Sequence, residues 1–363
     1  MTRDLSENRE GKAAPGRDQP ERRWRAVRLD ADHLPLQDIE AERYAEAGVQ
    51  VIESSARQPQ ELIAALGDMD AVLVVGTRLS AEVIATLDRC RAIVRIGSGT
   101  DNIAVDEATR KGIAVTNVPG FCTQEVAEQT WALILALARG ILATDRATRQ
   151  GAIRVPPPWI RGLRRTAGQT LGIVGFGRVG RKVAWIARGF DMKVLACDPM
   201  VSGQSVAEAA ATLVDLDRLL AESDIVSVNC PLTSSTHHLI AGPQLRRMKP
   251  TAVLINTSRG AVIDQNALVR ALREDWIAGA GLDVYDPEPP GAGDPLFDLD
   301  NVVVTPHSAA ISEESRQEVF GGSAEQAIKV LSGRCPDFLV NGEVKPWFVD
   351  GRRGWPIAKE PTQ

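Results

Sequence analysis

The stretch TLGIVGFGRVG, residues 170–180, decides the fold. Its first five residues are a short apolar run of the kind found in strands buried on both faces. The run opens into Gly175, Gly177 and Gly180, spaced GxGxxG, and a helical pattern follows from Val179 to Arg188. Each glycine has a physical task in such a turn. Gly175 permits the tight bend, Gly177 lets the backbone approach a pyrophosphate, and Gly180 lets the helix pack close to the sheet. The helix N-terminus offers unpaired N–H groups and partial positive charge to phosphates. The next strand, KVLACD (193–198), ends in Asp198, 23 residues beyond Gly175. That carboxylate suits the ribose hydroxyls of a dinucleotide and repels a 2′-phosphate, so NAD is expected over NADP.

Outward from this point the α/β alternation continues. IVSVNCP (225–231), AVLINTSRG (252–260), GAGLDV (279–284) and VVVTPH (302–307) read as further strands, with a Pro/Gly-rich loop at 286–295. Upstream lies an earlier series, RAVRLD (25–30), Val49–Ile52, AVLVVG (71–76), AIVRIGSG (92–99) and KGIAVTNVPG, separated by helical segments. Ser80 is placed to cap one of those helices. A single long helix is expected from about Thr123 to Arg149, a loop at Pro156–Pro158, and an amphipathic helix from about Glu313 to Leu331. Strands alternating with helices imply parallel sheets. The expected architecture is two doubly wound α/β domains, one flavodoxin-like and one Rossmann, with a cleft between them.

Four histidines are the candidates for acid–base work. His307 follows an apolar strand directly, where α/β sites form, whereas His237 and His238 sit in a loop and His33 near the first strand. Arg259 ends the strand AVLINTS and is placed to hold a carboxylate through its guanidinium fork. Glu288 follows GLDV and is placed to pair with His307 and fix its tautomer. Asp283, at the end of that strand, is placed to touch a nicotinamide.

Composition narrows the classes. The chain has 363 residues, 44% hydrophobic and 25% charged, which fits about two soluble domains. A net charge of −5 argues against a nucleic-acid surface. The longest apolar run, WALILALA (131–138), is too short to span a bilayer. Five cysteines, an odd number with no CxxC pair, favour neither a disulfide framework nor a metal site, and a reducing cytoplasm is the simplest home. Residues 1–23 lack an apolar core for a secretory signal and read as a disordered extension.

GFGRVG, CDP, NTSRGAVID, GLDVYDPEP and TPH, in this order, resemble the D-isomer-specific 2-hydroxyacid dehydrogenase family over about residues 25–345. The spacing is specific, with 29 residues from Arg259 to Glu288 and 19 from Glu288 to His307. The resemblance implies an NAD-dependent oxidoreductase acting on a 2-hydroxy or 2-keto acid, with Arg259, Glu288 and His307 catalytic. It implies cofactor contacts at Gly175, Gly177, Arg178, Val179, Gly180 and Asp198, and at Cys230, Pro231, Thr257, Asp283 and Thr123. Substrate contacts are implied at Val75, Gly76, Arg95, Ser98, Gly99 and Arg259. A substrate domain would comprise 24–122 and 306–345, the NAD domain 123–305, and a tail 346–363. A homodimer through the NAD domain is implied. VRIGSGTDNI, NVPGFCTQEVAEQT, THHLI and GRCPDFLVN look most like the C-terminal-binding-protein branch. Ala310 stands where that branch's corepressors carry a tryptophan, so their keto-acid preference need not carry over. An NAD(H)-binding corepressor or scaffold with little turnover is the alternative function.

Overall fold

The computed structural model describes residues 24–151 and 163–346. The N-terminal extension, the Pro156–Pro158 loop and the tail from residue 347 lie outside them. The chain divides into two compact units, residues up to Val118 together with those from Phe320 onward, and Pro119–Val319.

The first unit is built on β1 (Trp24–Arg28), α1 (Asp38–Glu46), β2 (Val49–Glu53), α2 (Pro59–Leu66), β3 (Ala71–Val74), α3 (Ala81–Ala85), β4 (Ala92–Arg95), α4 (Val105–Arg110) and β5 (Ala114–Thr116). The strands form one parallel sheet in the order β2-β1-β3-β4-β5, the flavodoxin-like order. The apolar runs read as strands are its centre: all four residues of β3 are buried. Leu62, Leu66, Val72, Val74, Ile93 and Val115 pack into one core. Ser80 caps α3 as expected, its hydroxyl accepting the Val83 N–H at 3.4 Å.

The second unit opens with α5 (Thr123–Ala138) and α6 (Ile141–Arg149). The sequence reading of one helix here is corrected. Gly140 adopts φ +59°, a left-handed conformation that breaks the hydrogen-bond ladder, and the two helices bend by 60°. There follow β6 (Thr170–Val174), α7 (Arg178–Ala187), β7 (Lys193–Cys197), α8 (Gly203–Glu208), β8 (Thr212–Leu213), α9 (Leu216–Glu222), β9 (Ile225–Val228), α10 (Gly242–Arg247), β10 (Val253–Asn256), α11 (Gln265–Arg273), β11 (Gly279–Leu282) and β12 (Val302–Val304). α12 (Glu313–Leu331) carries the chain back into the first unit.

These seven strands are all parallel, ordered β12-β11-β10-β9-β6-β7-β8. Side chains alternate to the two faces. Leu171 and Ile173 meet Ile134, Val183 and Ala187 on one side, while Val174, Val226 and Val228 meet Leu220, Leu268 and Leu272 on the other. Fully burying each such aliphatic side chain contributes roughly 1.5–3 kcal/mol. Among the described residues no single helix is long and apolar enough to cross a membrane.

Candidate active site

Because the strands run parallel, their carboxyl ends share one edge, and the strand order reverses between β6 and β9. Gly175 lies at this reversal with φ +91°. A β-carbon there would stand 2.5 Å from the Cys230 amide nitrogen, so only glycine fits. The Gly175 N–H donates to the Cys197 carbonyl at 2.9 Å. The Phe176 and Met200 amides donate to the Asp198 carboxylate at 2.7 and 2.8 Å, which fixes that side chain beside the turn. Gly177 caps α7 with no side chain over the helix end, and a β-carbon there would meet nothing within 4 Å. Gly180 has no such room, since a β-carbon would run into the Gly175 carbonyl. The open helix end, the bare Gly177 and the anchored acid together fit a dinucleotide. Thr123 and Arg178 come together with Arg181, Lys182 and Trp185 around a pocket of about 430 Å³. Cys230 is buried, and the Thr257 hydroxyl is 2.8 Å from that of Thr130. Pro231 accepts the Thr236 hydroxyl at 2.6 Å.

The adjacent strands β10, β11 and β12 carry the other half. Arg259 follows β10 in extended conformation, with Nη1 donating to the Ser258 carbonyl at 2.8 Å and its own carbonyl accepting from Asn256 at 2.9 Å. Asp283 ends β11 fully buried. Its carboxylate accepts the Thr305 hydroxyl at 2.5 Å, the Ser308 amide at 3.0 Å and the Ala309 amide at 2.9 Å. Its carbonyl accepts the His307 amide at 2.8 Å. Asp283 therefore shapes the loop that presents His307, a task the sequence reading missed. His307 itself sits at φ +53°, an uncommon conformation for a side chain of this size, held by those bonds. Its Nδ1 is hydrogen-bonded to Glu288 Oε1. That leaves Nε2 as the nitrogen available to a reacting group. Glu288 also lines an apolar pocket of about 300 Å³ with Tyr285, Pro289, Phe297, Val304 and Pro306.

Cys122, at the start of α5, feels the Arg259 charge, yet burial pushes its thiol up to about 11. His237 and His238 stack with ring centroids 4.0 Å apart, and His238 Nε2 is 3.6 Å from Asp286. They form a surface turn, as read from the sequence.

Val75, Gly76, Arg95, Ser98 and Gly99 belong to the first unit. They gather at the carboxyl ends of β3 and β4, which are paired through Val74 and Arg95. The Arg95 guanidinium folds over Gly97 and donates to the Ile96 carbonyl. Asn117 Nδ2 donates to the Ser98 carbonyl at 2.6 Å.

A family profile described as D-isomer specific 2-hydroxyacid dehydrogenase, NAD binding domain, matches residues 131–309. A glyoxylate reductase of Korarchaeum cryptofilum is 45% identical over 286 residues, 78% of this chain and 86% of that protein. A glyoxylate reductase of Pyrococcus furiosus is 41% identical over 311 residues, 83% of this chain and 92% of its own. Among solved structures, a D-lactate dehydrogenase from Aquifex aeolicus complexed with NAD and lactic acid superposes with a TM-score of 0.78 at 27% identity. That match covers 87% of this chain and 99% of that one.

Proposed function

The chain belongs to the D-isomer-specific 2-hydroxyacid dehydrogenase family, and on that premise we propose that its working reaction is reduction of glyoxylate or a 2-keto acid of similar size. It is an NAD-dependent oxidoreductase that interconverts a D-2-hydroxy acid and a 2-keto acid. The observation that carries the proposal is the hydrogen-bonded His307–Glu288 pair, which with Arg259 follows the carboxyl ends of the consecutive strands β10, β11 and β12 in the sheet that holds the glycine turn. When bound, NADH supplies the hydrogen and two electrons that convert the keto carbon to a carbinol.

Arg259 clamps the substrate carboxylate and polarises the keto oxygen, so that charge developing on that oxygen is met by a fixed cation. His307 donates its Nε2 proton to the same oxygen. Glu288, on Nδ1, holds the ring in place and stabilises the imidazolium that this donation consumes. General-acid help of this kind is worth about 10²–10⁴-fold. Val75, Gly76, Arg95, Ser98 and Gly99 supply substrate contacts from the first unit, with Ser98 and Gly99 offering backbone amides to the carboxylate. Thr123, Arg178, Val179, Cys230, Pro231, Thr257, Asp198 and Asp283 complete the cofactor site.

The same proposal assigns substrate binding to the unit built on β1–β5 and NAD binding to the unit built on β6–β12. It includes a homodimer through the NAD-binding unit, supported by apolar surface on Ile141 and Leu142, about half exposed, and Trp185, 61% exposed. It includes a cytoplasmic home, supported by five free cysteines. It places the chain in the C-terminal-binding-protein-like branch, supported by the motifs quoted above. The enzyme names of the relatives lend no support to the corepressor alternative.

A panel of glyoxylate, pyruvate, hydroxypyruvate and a branched 2-keto acid, each with NADH and followed by nicotinamide absorbance, tests the proposal. Glyoxylate should give the highest kcat/KM. A bulky keto acid in first place would remove the substrate assignment.

A further inference from the structure

Asp30 lies just past β1 with φ +62°, buried at 7% exposure. Three successive amides converge on its Oδ2: Val75 at 3.1 Å, Gly76 at 2.9 Å and Thr77 at 3.2 Å. The Thr77 hydroxyl donates to Oδ1 at 2.6 Å. Successive N–H groups turned one way make an anion-binding concavity, and here the chain's own carboxylate fills it. From the other side Asn102 Nδ2 donates to the Val75 and Thr77 carbonyls at 3.3 and 3.0 Å. The Asn102 carbonyl accepts the Leu79 amide at 2.8 Å. Burial raises the Asp30 carboxyl, but the bonds from Thr77, Gly76 and Val75 outweigh it and hold the group below the ordinary carboxylate range. The clamp is therefore charged at neutral pH.

Resting on the reading that this loop meets the substrate, we propose that Asp30 and Asn102 are positioning residues that hold Val75 and Gly76 as one wall of the keto-acid pocket. The three amides are engaged by Asp30, so the loop contributes shape and not anion-binding donors. Asp30 reaches the loop across 45–47 residues of chain. A carboxylate at that position costs its desolvation unless the amides meet it, and the amides would otherwise lack an acceptor.

The test is Asp30→Ala in the full chain, assayed with glyoxylate and NADH. KM for glyoxylate should rise at least about tenfold with kcat changed by less than about threefold, because uniform binding is lost rather than transition-state chemistry. NADH affinity, read by fluorescence, should stay at the wild-type value. Added acetate should refill the concavity and lower the variant's KM without helping the wild type, which a merely structural role would not do. If Asp30→Ala fails to fold, Thr77→Val and Asn102→Ala each remove part of the clamp and should raise KM about two- to fivefold. An unchanged KM in these variants, or loss of kcat without a KM change, overturns the inference. Gly76→Ala separates the two readings, since a β-carbon there meets only Asp30 Oδ1 at 3.9 Å and leaves the clamp intact. A KM change in Gly76→Ala but not in Asp30→Ala leaves the loop at the substrate and removes the clamp. No change in either takes the loop away from the substrate, and the inference falls while reduction by the wild type stands. A wild type that reduces no keto acid brings down the functional proposal itself.

Discussion

Gly260 lies against the main-chain carbonyl of Tyr285 so closely that a β-carbon at position 260 would overlap that group. The contact joins the loop after β10, which carries Arg259, to the loop after β11, which carries Glu288. Gly260→Ala must push these loops apart, since the obstacle is backbone and not a flexible side chain. Overpacking of this kind costs about 1–3 kcal/mol. We expect kcat/KM to fall further than that stability loss alone explains. A variant with a lowered Tm and unchanged kinetics would show that the spacing of the two loops does not matter.

The His307–Glu288 pair predicts two unequal losses. His307→Ala removes the proton donor and should lose about 10²–10⁴-fold in kcat. Glu288→Gln keeps the size and a hydrogen bond to Nδ1 but removes the charge, and kcat should fall by less, with NADH affinity unchanged. The check is kcat and KM for keto-acid reduction in both variants beside NADH binding, and wild-type kcat in Glu288→Gln contradicts the pairing.

Arg259→Lys retains charge but loses the planar fork. Removing one stabilising donor at a developing oxyanion costs about 10²–10³-fold in kcat, and we expect a loss of about that size. Binding of NADH, followed by fluorescence quenching, should be nearly unaffected. Wild-type kinetics in this variant would assign the anchor elsewhere.

At Asp198, both carboxylate oxygens hold backbone amides of the turn, so the negative charge cannot swing aside from a 2′-phosphate. NADH should be favoured over NADPH by at least about tenfold in kcat/KM, equivalent to about 1.4 kcal/mol. Equal values with the two cofactors would refute this.

The thiols should be inert at neutral pH. Burial pushes Cys90 up to about 12 and Cys122 and Cys230 up to about 11, and it raises Cys197 and Cys335 as well. Alkylation requires the thiolate, so its fraction is small at pH 7.5 and grows as pH climbs toward those values. Iodoacetamide at pH 7.5 should leave activity intact over the time in which free cysteine is consumed. Rapid inactivation would mean that at least one of these thiols is ionised more readily than its burial implies.

Much of this protein was legible in one dimension. The GxGxxG turn, the acid closing the next strand, the Ser80 cap and the bounds of α12, Glu313–Leu331, all rest on signals within a turn or about 20 residues. Period and capping act locally, and they act the same way whatever the rest of the chain does. The chain by itself also determined which residue types stand at the strand ends: Arg259, Asp283 and His307. What it left open depends on which strands become neighbours. Asp283 lies 22–26 residues from the groups it binds, and Asp30 reaches 45–47 residues to the loop it holds. Such contacts follow from strand order and register, so an acid at a strand end reads equally as a ligand for solvent, cofactor or backbone until its neighbours are placed. The break at Gly140 is of the same kind. A lone glycine in a helical pattern is tolerated, and only the packing of α5 against the sheet decides whether the chain bends there.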